Sequence, residues 1–289
     1  MTYQPAPAEL EQVACPACGI DNPTLRYDLS PYRVVQCRAC GLSYLSPRLN
    51  EATMLRFYQD DKYFENGDVG YVGYLQQEKA LRYSFRRFLQ QLHRRRLDGG
   101  ALLEVGCGYG FLLDEATPYF DYRVGIDLSA AVERAAGRAD CVYQGDLDAL
   151  PAQERFDCII LVSVIEHVHS PVDYLRTLRE RLRPGGKVVV ATPNVDSIFR
   201  RLLGSRWPAF QVVPEHVSFY NGPTLSALLK RAGFGGVTSL PFVRAYPANM
   251  VIEEFNVWPG IFGPLGNRNV AFPGYMVARC GFAEQAPHS

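Results

Sequence analysis

Residues Ala101 to Gly110 read ALLEVGCGYG, and the fold is decided there. An apolar run, Ala101 to Val105, ends in Gly106, Gly108 and Gly110, and Phe111, Leu112 and Leu113 then open a helical pattern. That order predicts a buried strand, a tight turn and a helix start. Without a Cβ, glycines let the backbone turn sharply and approach a ligand closely. Two phosphate loops are excluded. The dinucleotide fingerprint is G-x-G-x-x-G, and here the third glycine falls one residue early; the phosphate loop ends in G-K-[ST], and no Lys follows. Glu104 stands just before the loop. A carboxylate there repels a pyrophosphate and suits a ligand carrying an ammonium and a sulfonium.

The downstream chain repeats the strand-then-polar-loop pattern. YRVGIDLS (Tyr122 to Ser129) is a second strand ending in Asp127, an acid placed to accept from both hydroxyls of a ribose. CVYQGDLDALP (Cys141 to Pro151) is a short strand followed by Asp146, placed to accept from an adenine amino group. FDCIILVSVIEHV (Phe156 to Val168) is a fourth, apolar strand entering a polar loop. LRERLRPGGKVVVATPN (Leu178 to Asn194) reads as a helix end, a Pro-Gly-Gly turn and a fifth strand.

At these residues the sequence resembles the class I S-adenosylmethionine-dependent methyltransferases, in the style of the small-molecule and glycan-pathway branch, and the resemblance covers about two-thirds of the chain. The resemblance implies an α/β fold: a Rossmann-like, mostly parallel seven-stranded sheet whose last strand is antiparallel. It implies that S-adenosylmethionine is the cofactor. Glu104 is then assigned to the methionine ammonium, Gly106, Gly108 and Gly110 to backbone approach, Asp127 with Leu128 to the ribose, and Asp146 with Leu147 to the adenine. Ser163, at the end of the fourth strand, and Cys107 join the same set, Cys107 as a small filler rather than a nucleophile. Asp127 also stands where it could cap a helix beginning near Ala130, and Asp146 where it could close a turn.

The N-terminal part carries CPAC (Cys15, Cys18) and CRAC (Cys37, Cys40), the two pairs separated by eighteen residues and each followed by a glycine. That spacing matches a four-cysteine zinc site. Four thiolates leave no open coordination position, so the predicted Zn2+ is structural. TLRYDL and YRVVQ between the pairs read as strands of a zinc ribbon. The expected organisation is a tail and ribbon over 1–46, a helical aromatic-rich linker or cap over 47–98, and a methyltransferase domain over 99–289 with substrate-pocket insertions at 195–221 and 241–272. In the linker, Asn50 is placed to cap a helix, and Tyr58, Tyr63, Phe64, Tyr71 and Tyr74 are read either as lining the cofactor pocket or as packing the ribbon on the main domain. A helix over 76–96 puts Leu81, Phe85, Phe88, Leu89 and Leu92 on one face and six arginines elsewhere, read either as a solvated face or as a phosphate contact.

Composition narrows the partners. Lys+Arg and Asp+Glu are 30 each, a balance that argues against a polyanion held over the whole surface. The start, MTYQPAPAELEQ, shows no basic region followed by an apolar run, and no stretch is long and apolar enough to cross a membrane. The reading is a cytoplasmic enzyme with a small-molecule or sugar-like acceptor. An RNA base methyltransferase using the ribbon and the arginine helix is the alternative, and a non-catalytic cofactor-binding scaffold a third.

Methyl transfer to a hydroxyl needs a group to take its proton, and a histidine suits that task. Of the five histidines, His216 in PEHVSFY is the first candidate for the base; His167, with Glu166, is the second. Each could instead bond loop backbone. Tyr220 is read as contributing a hydroxyl or as packing, and Glu215, Glu166 and the histidines also make a set able to take a divalent cation.

Overall fold

The apolar run Ala101–Val105 forms strand β1, buried along its whole length in the interior of a seven-stranded sheet. In this computed structural model, residues 5–59, 74–254 and 268–283 are described. Tyr63, Phe64, Tyr71, the side chain of Tyr58 and residues 255–267 of the second insertion lie outside them.

The sheet strands in chain order are β1, β2 (Tyr122–Asp127), β3 (Cys141–Gln144), β4 (Phe156–Val162), β5 (Leu182–Pro193), β6 (Phe234–Leu240) and β7 (Met276–Ala283). Their spatial order is β6-β7-β5-β4-β1-β2-β3. Strands β1 to β5 pair in parallel, whereas β7 runs antiparallel to both β5 and β6. The expected fold class is therefore borne out, including the antiparallel last strand between the fifth and the sixth. The chain reverses its direction of travel across the sheet between β1 and β4, and at such a switch point the loops beyond the strand ends part to leave a crevice. One detail departs from expectation. The Pro-Gly-Gly segment does not separate a helix from β5: α4 (Pro171–Glu180) ends earlier, and β5 begins at Leu182 with a register break before Lys187.

Helix α1 (Glu51–Gln59) is capped as the sequence predicts, Thr53 N–H donating to Asn50 Oδ1 at 3.0 Å. Helix α2 (Glu78–Arg94) buries Leu81, Phe85, Phe88, Leu89 and Leu92. Its arginine face is partly an internal connection. Arg82 bonds Glu78, Asp114 and Glu115, and Arg86 bonds Glu115, which ties α2 to the short helix α3 (Phe111–Glu115) behind the glycine loop.

The N-terminal strands Pro23–Leu29, Tyr32–Cys37 and Ser43–Leu45 form an antiparallel sheet. A fourth strand, Ser218–Phe219, comes from the far side of the chain and pairs with Ser43–Leu45. No residue pattern in the short stretch 218–219 announced this strand. Helices α5 (Ile198–Leu203), α6 (Pro208–Gln211) and α7 (Gly222–Arg231) flank it, and Val243–Pro247 pairs antiparallel with Asn269–Pro273, with α8 (Ala248–Glu254) following the first of these strands. Among the described residues, no helix is long and apolar enough to cross a membrane.

Candidate functional site

The glycine loop turns over the carboxyl end of β1. Gly106 and Cys107 N–H both donate to Ile126 C=O of β2, at 2.8 and 3.0 Å. Gly106 sits at φ +70°, and a Cβ there would stand 2.5 Å from Val164 Cγ2 of the β4 loop. Gly110 begins α3 at φ +72°, where a Cβ would meet that of Ala135 at 2.8 Å. Both positions therefore combine left-handed backbone with a close neighbour, which only glycine tolerates cheaply. Tyr74 lies over the loop, its ring stacked on Phe111 with centroids 5.5 Å apart and its hydroxyl facing Gly108. Of the linker aromatics, this described one packs against the loop.

A cavity of about 190 Å³ opens beside the loop at the switch point. Of the residues predicted for the cofactor, Gly106, Asp127, Leu128, Asp146 and Ser163 line it. Asp127 closes β2 and is held from both sides: Gly108 N–H donates to Oδ2 at 2.8 Å, and Ser129 N–H and Oγ–H donate to Oδ1 at 2.9 and 2.6 Å. A carboxylate offers about four lone-pair sites, so these bonds orient Asp127 while leaving capacity for a ligand's hydroxyls. Asp146 accepts from Leu147 N–H and from the Tyr174 hydroxyl, both at 2.8 Å and both on Oδ1. Ser163 is one of two described non-glycine residues with positive φ, +55°. Backbone of this kind is stored strain, and strain of this kind clusters at functional sites.

Glu104, Cys107, Gly108, Gly110 and Leu147 are not among the cavity-lining residues. Leu147 is buried, and Cys107 packs its sulfur under Gly125 of β2, which accords with its role as filler. Glu104 is 4 % exposed, and its Oε2 is buried without a hydrogen-bond partner among the described residues. Burial first, and then the charge of Asp127, holds its carboxyl well above the usual range. A buried carboxylate with an orphaned oxygen fits a ligand that brings an ammonium, so the residues present suit the cofactor.

The second part of the site is the loop after β4. Glu166 is 1 % exposed; its Oε2 accepts from Thr192 Oγ at 2.8 Å, and its Oε1 has no hydrogen-bond partner among the described residues. Burial pushes its carboxyl up to about 7, against the pull of the neighbouring Thr192 and Ser163 hydroxyls. His167 lines the cavity. The His216 ring meets the His167 ring edge-on, centroids 4.7 Å apart. One candidate ligating atom each from Glu166, His167 and His216 falls within 4.8 Å of the others, an arrangement able to pass a proton or to take a divalent cation. His216 Nδ1 lies 2.9 Å from Ala209 C=O. A carbonyl only accepts, so Nδ1 carries the proton and Nε2 keeps its lone pair. Burial lowers His216 to about 4 and His167 well below the ordinary histidine value, so both rings are neutral at neutral pH.

Two predicted residues stand apart. Tyr220 is fully buried, and its hydroxyl has no hydrogen-bond partner among the described residues. Glu215 is 4 % exposed and outside the converging trio. The sequence reading also missed lining residues. Tyr174, which supports Asp146, sits one turn into α4; a helix that starts at a switch-point loop brings its first turn to the crevice, and that was the available signal. His169, given no role from sequence, lines the cavity, and so do Glu51, Met54 and Leu55 of α1.

The four cysteines come together. Cys15 Sγ and Cys40 Sγ are 3.5 Å apart, Cys18 Sγ and Cys37 Sγ 3.6 Å. Four sulfurs around a zinc at about 2.3 Å stand roughly 3.8 Å apart, so the donor set fits a closed tetrahedral ion. Gly19 and Gly41 close the two turns, donating to Cys15 and Cys37 C=O at 2.8 and 2.9 Å.

The profile of a methyltransferase domain family matches residues 77–239, more than half of the chain. A tRNA U34 carboxymethyltransferase of Shewanella halifaxensis is 34 % identical over 117 residues, 36 % of this chain and 34 % of that protein. A ubiquinone biosynthesis O-methyltransferase of Cereibacter sphaeroides is 32 % identical over 119 residues, 38 % of this chain and 48 % of that one. The chain thus spans about a third to a half of the length of these curated relatives. Among solved structures, a SAM-dependent methyltransferase of Thermotoga maritima superposes with a TM-score of 0.56 at 19 % identity, covering 80 % of this chain and all of that one, a likeness of fold. With the family profile spanning the glycine loop, both acids and the β4 loop, the chain belongs to the methyltransferase-domain family and carries the class I S-adenosylmethionine-dependent methyltransferase fold.

Proposed function

We propose that the protein transfers a methyl group from S-adenosylmethionine to a hydroxyl of a small-molecule or sugar-like acceptor, with His216 as the general base. The observation that carries this reading is the convergence of Glu166, His167 and His216, of which His167 lines the cavity and Glu166 and His216 are buried behind it. Bound S-adenosylmethionine would supply a methyl on a sulfonium that departs as a neutral thioether. The chain's own residues do the rest. Glu104 holds the ammonium, Asp127 the ribose and Asp146 the adenine, which fixes the direction from which the methyl is offered. The acceptor oxygen forms the new C–O bond as the C–S bond breaks, and its proton goes to His216 Nε2. Glu166, ionised above about pH 7, faces the imidazolium that results. Zinc, held by Cys15, Cys18, Cys37 and Cys40, is structural.

The ion pairs of Arg82 and Arg86 with α3 leave less of the α2 cluster for a phosphate backbone and favour a small acceptor over RNA. The test is transfer of labelled methyl into a cell extract split into RNA, protein and small-molecule fractions. Label in the small-molecule fraction that vanishes with His216→Ala is expected. Label in RNA would overturn the acceptor class, and no transfer to any fraction from cofactor-bound protein would favour the scaffold.

A further inference from the structure

The ribbon bears two parts of the candidate site. The first is the loop of His216. Ribbon strand Ser43–Leu45 pairs with Ser218–Phe219, and Leu45 N–H donates to Val217 C=O at 2.9 Å. Val217 N–H in turn donates to Glu166 C=O at 2.8 Å. The residue next to His216 is thus clamped between the ribbon and the β4 loop. The second part is the wall of the cavity formed by α1. The chain leaves the ribbon through Arg48–Leu49, which pairs with Leu10–Glu11, and runs directly into α1, whose Glu51, Met54 and Leu55 line the cavity.

Arg48 joins the two. It is 9 % exposed; its Nε donates to Glu11 at 2.8 Å and its Nη1 to His169 C=O at 3.0 Å. The His169 ring returns the connection, its Nε2 meeting Leu49 C=O at 3.0 Å. A cavity-lining residue of the methyltransferase sheet is therefore bonded twice to the two residues on which the ribbon hands over to α1.

The placement of Ser43–Leu45 depends on the cysteine group. The strand begins three residues after Cys40, and Cys37 ends the strand with which it pairs, where Cys37 N–H donates to Leu42 C=O at 2.9 Å. A small module of this kind owes most of its order to its metal. We infer that the ribbon is the positioning module of the cavity, with Arg48 as its positioning residue, so that zinc binding and cofactor binding strengthen one another. The inference rests on the proposed function in one respect, the identity of the cavity's ligand.

Coupling of this kind is reciprocal, which gives a readout that needs no turnover. The experiment takes the full chain loaded with zinc and measures, at equilibrium, how zinc partitions to a competing colorimetric chelator, with and without saturating S-adenosylhomocysteine. Bound S-adenosylhomocysteine is expected to tighten zinc binding by about five-fold or more, within the ordinary range of coupling. Arg48→Met, which keeps an apolar stem and removes both bonds, should still bind each ligand but show a smaller effect. Equal zinc affinities with and without the ligand would overturn the inference, as would a chain that takes up no zinc. Should S-adenosylhomocysteine fail to bind the zinc-loaded protein, the cavity assignment falls, and amide exchange still decides this point. Zinc removal is expected to expose the Leu45 and Val217 amides together; a Val217 amide that keeps its protection would overturn the positioning role.

Discussion

The glycine loop and His167 line the same cavity, yet they are held in place by different means. The loop and its acids are local. Asp127 is fixed by Gly108 and Ser129, Asp146 by Leu147 and Tyr174, all on the β1 to α4 half of the sheet, and both acids are half-buried. In the trio of Glu166, His167 and His216 two members are buried and His167 is half-buried; they arrive from distant segments, the β4 loop and the stretch before Ser218–Phe219, which Val217 bonds to the ribbon. The first half is built to bind a ligand with fixed polar groups. The second half keeps neutral imidazoles and a carboxyl that titrates near neutrality, which suits moving a proton. Under the proposed function a site of this design separates binding from chemistry, and variants on its two halves should fail in different ways.

The largest separation is expected from His216→Ala. Loss of a general base costs about 10²–10⁴-fold in turnover, and the substitution leaves the cofactor acids untouched, so kcat should collapse while S-adenosylhomocysteine affinity holds. Equal loss of both would merge the two halves. Asp127→Ala should do the reverse. It removes charge-assisted bonds worth about 1.5–3 kcal/mol each, so affinity should drop by roughly ten- to a hundred-fold or more by calorimetry, and unchanged affinity would withdraw the ribose assignment.

A smaller effect belongs to pH. Glu166 stands at about 7 in the folded protein, raised from 4.5 by burial. Its ionised form grows as pH rises through about 7, so kcat should climb across that range, and Glu166→Gln should flatten the limb. Stability carries the opposite sign. The folded state binds this proton more tightly than the unfolded chain, so the contribution is complete below the ordinary glutamate value and is lost as pH rises through about 7. A urea midpoint that falls between about pH 5 and 8 in the native protein, but less in Glu166→Gln, would show it. The smallest effect is expected from Tyr174→Phe. It removes one hydrogen bond to Asp146 and should weaken cofactor binding by about 1 kcal/mol, or several-fold; a larger loss would place the hydroxyl in direct contact with the ligand.

The same contrast explains what could be read in advance. The strand, turn and helix around Gly106, the acids at the strand ends and the four-cysteine spacing are local patterns whose chemistry dictates their shape, and the sheet order followed from them. His169 and the pairing of Ser218–Phe219 with Ser43–Leu45 depend on contacts between residues more than a hundred positions apart, which no periodicity records. The pairing of Val243–Pro247 with Asn269–Pro273 was hidden for a related reason, since its strands are separated by over twenty residues rich in Pro, Gly and Asn. The arginine helix carries two readings because sequence shows spacing and not partners; in the structure Arg82 and the largely exposed Arg86 pair with Asp114 and Glu115 of α3.

The separation of binding from chemistry is tested most directly by titrating S-adenosylhomocysteine into the native protein, Asp127→Ala and His216→Ala by calorimetry, with methyl transfer measured on the same samples. Binding kept and transfer lost in His216→Ala, with binding lost in Asp127→Ala, is the predicted result. Transfer that survives His216→Ala, or binding that survives Asp127→Ala unchanged, would contradict it.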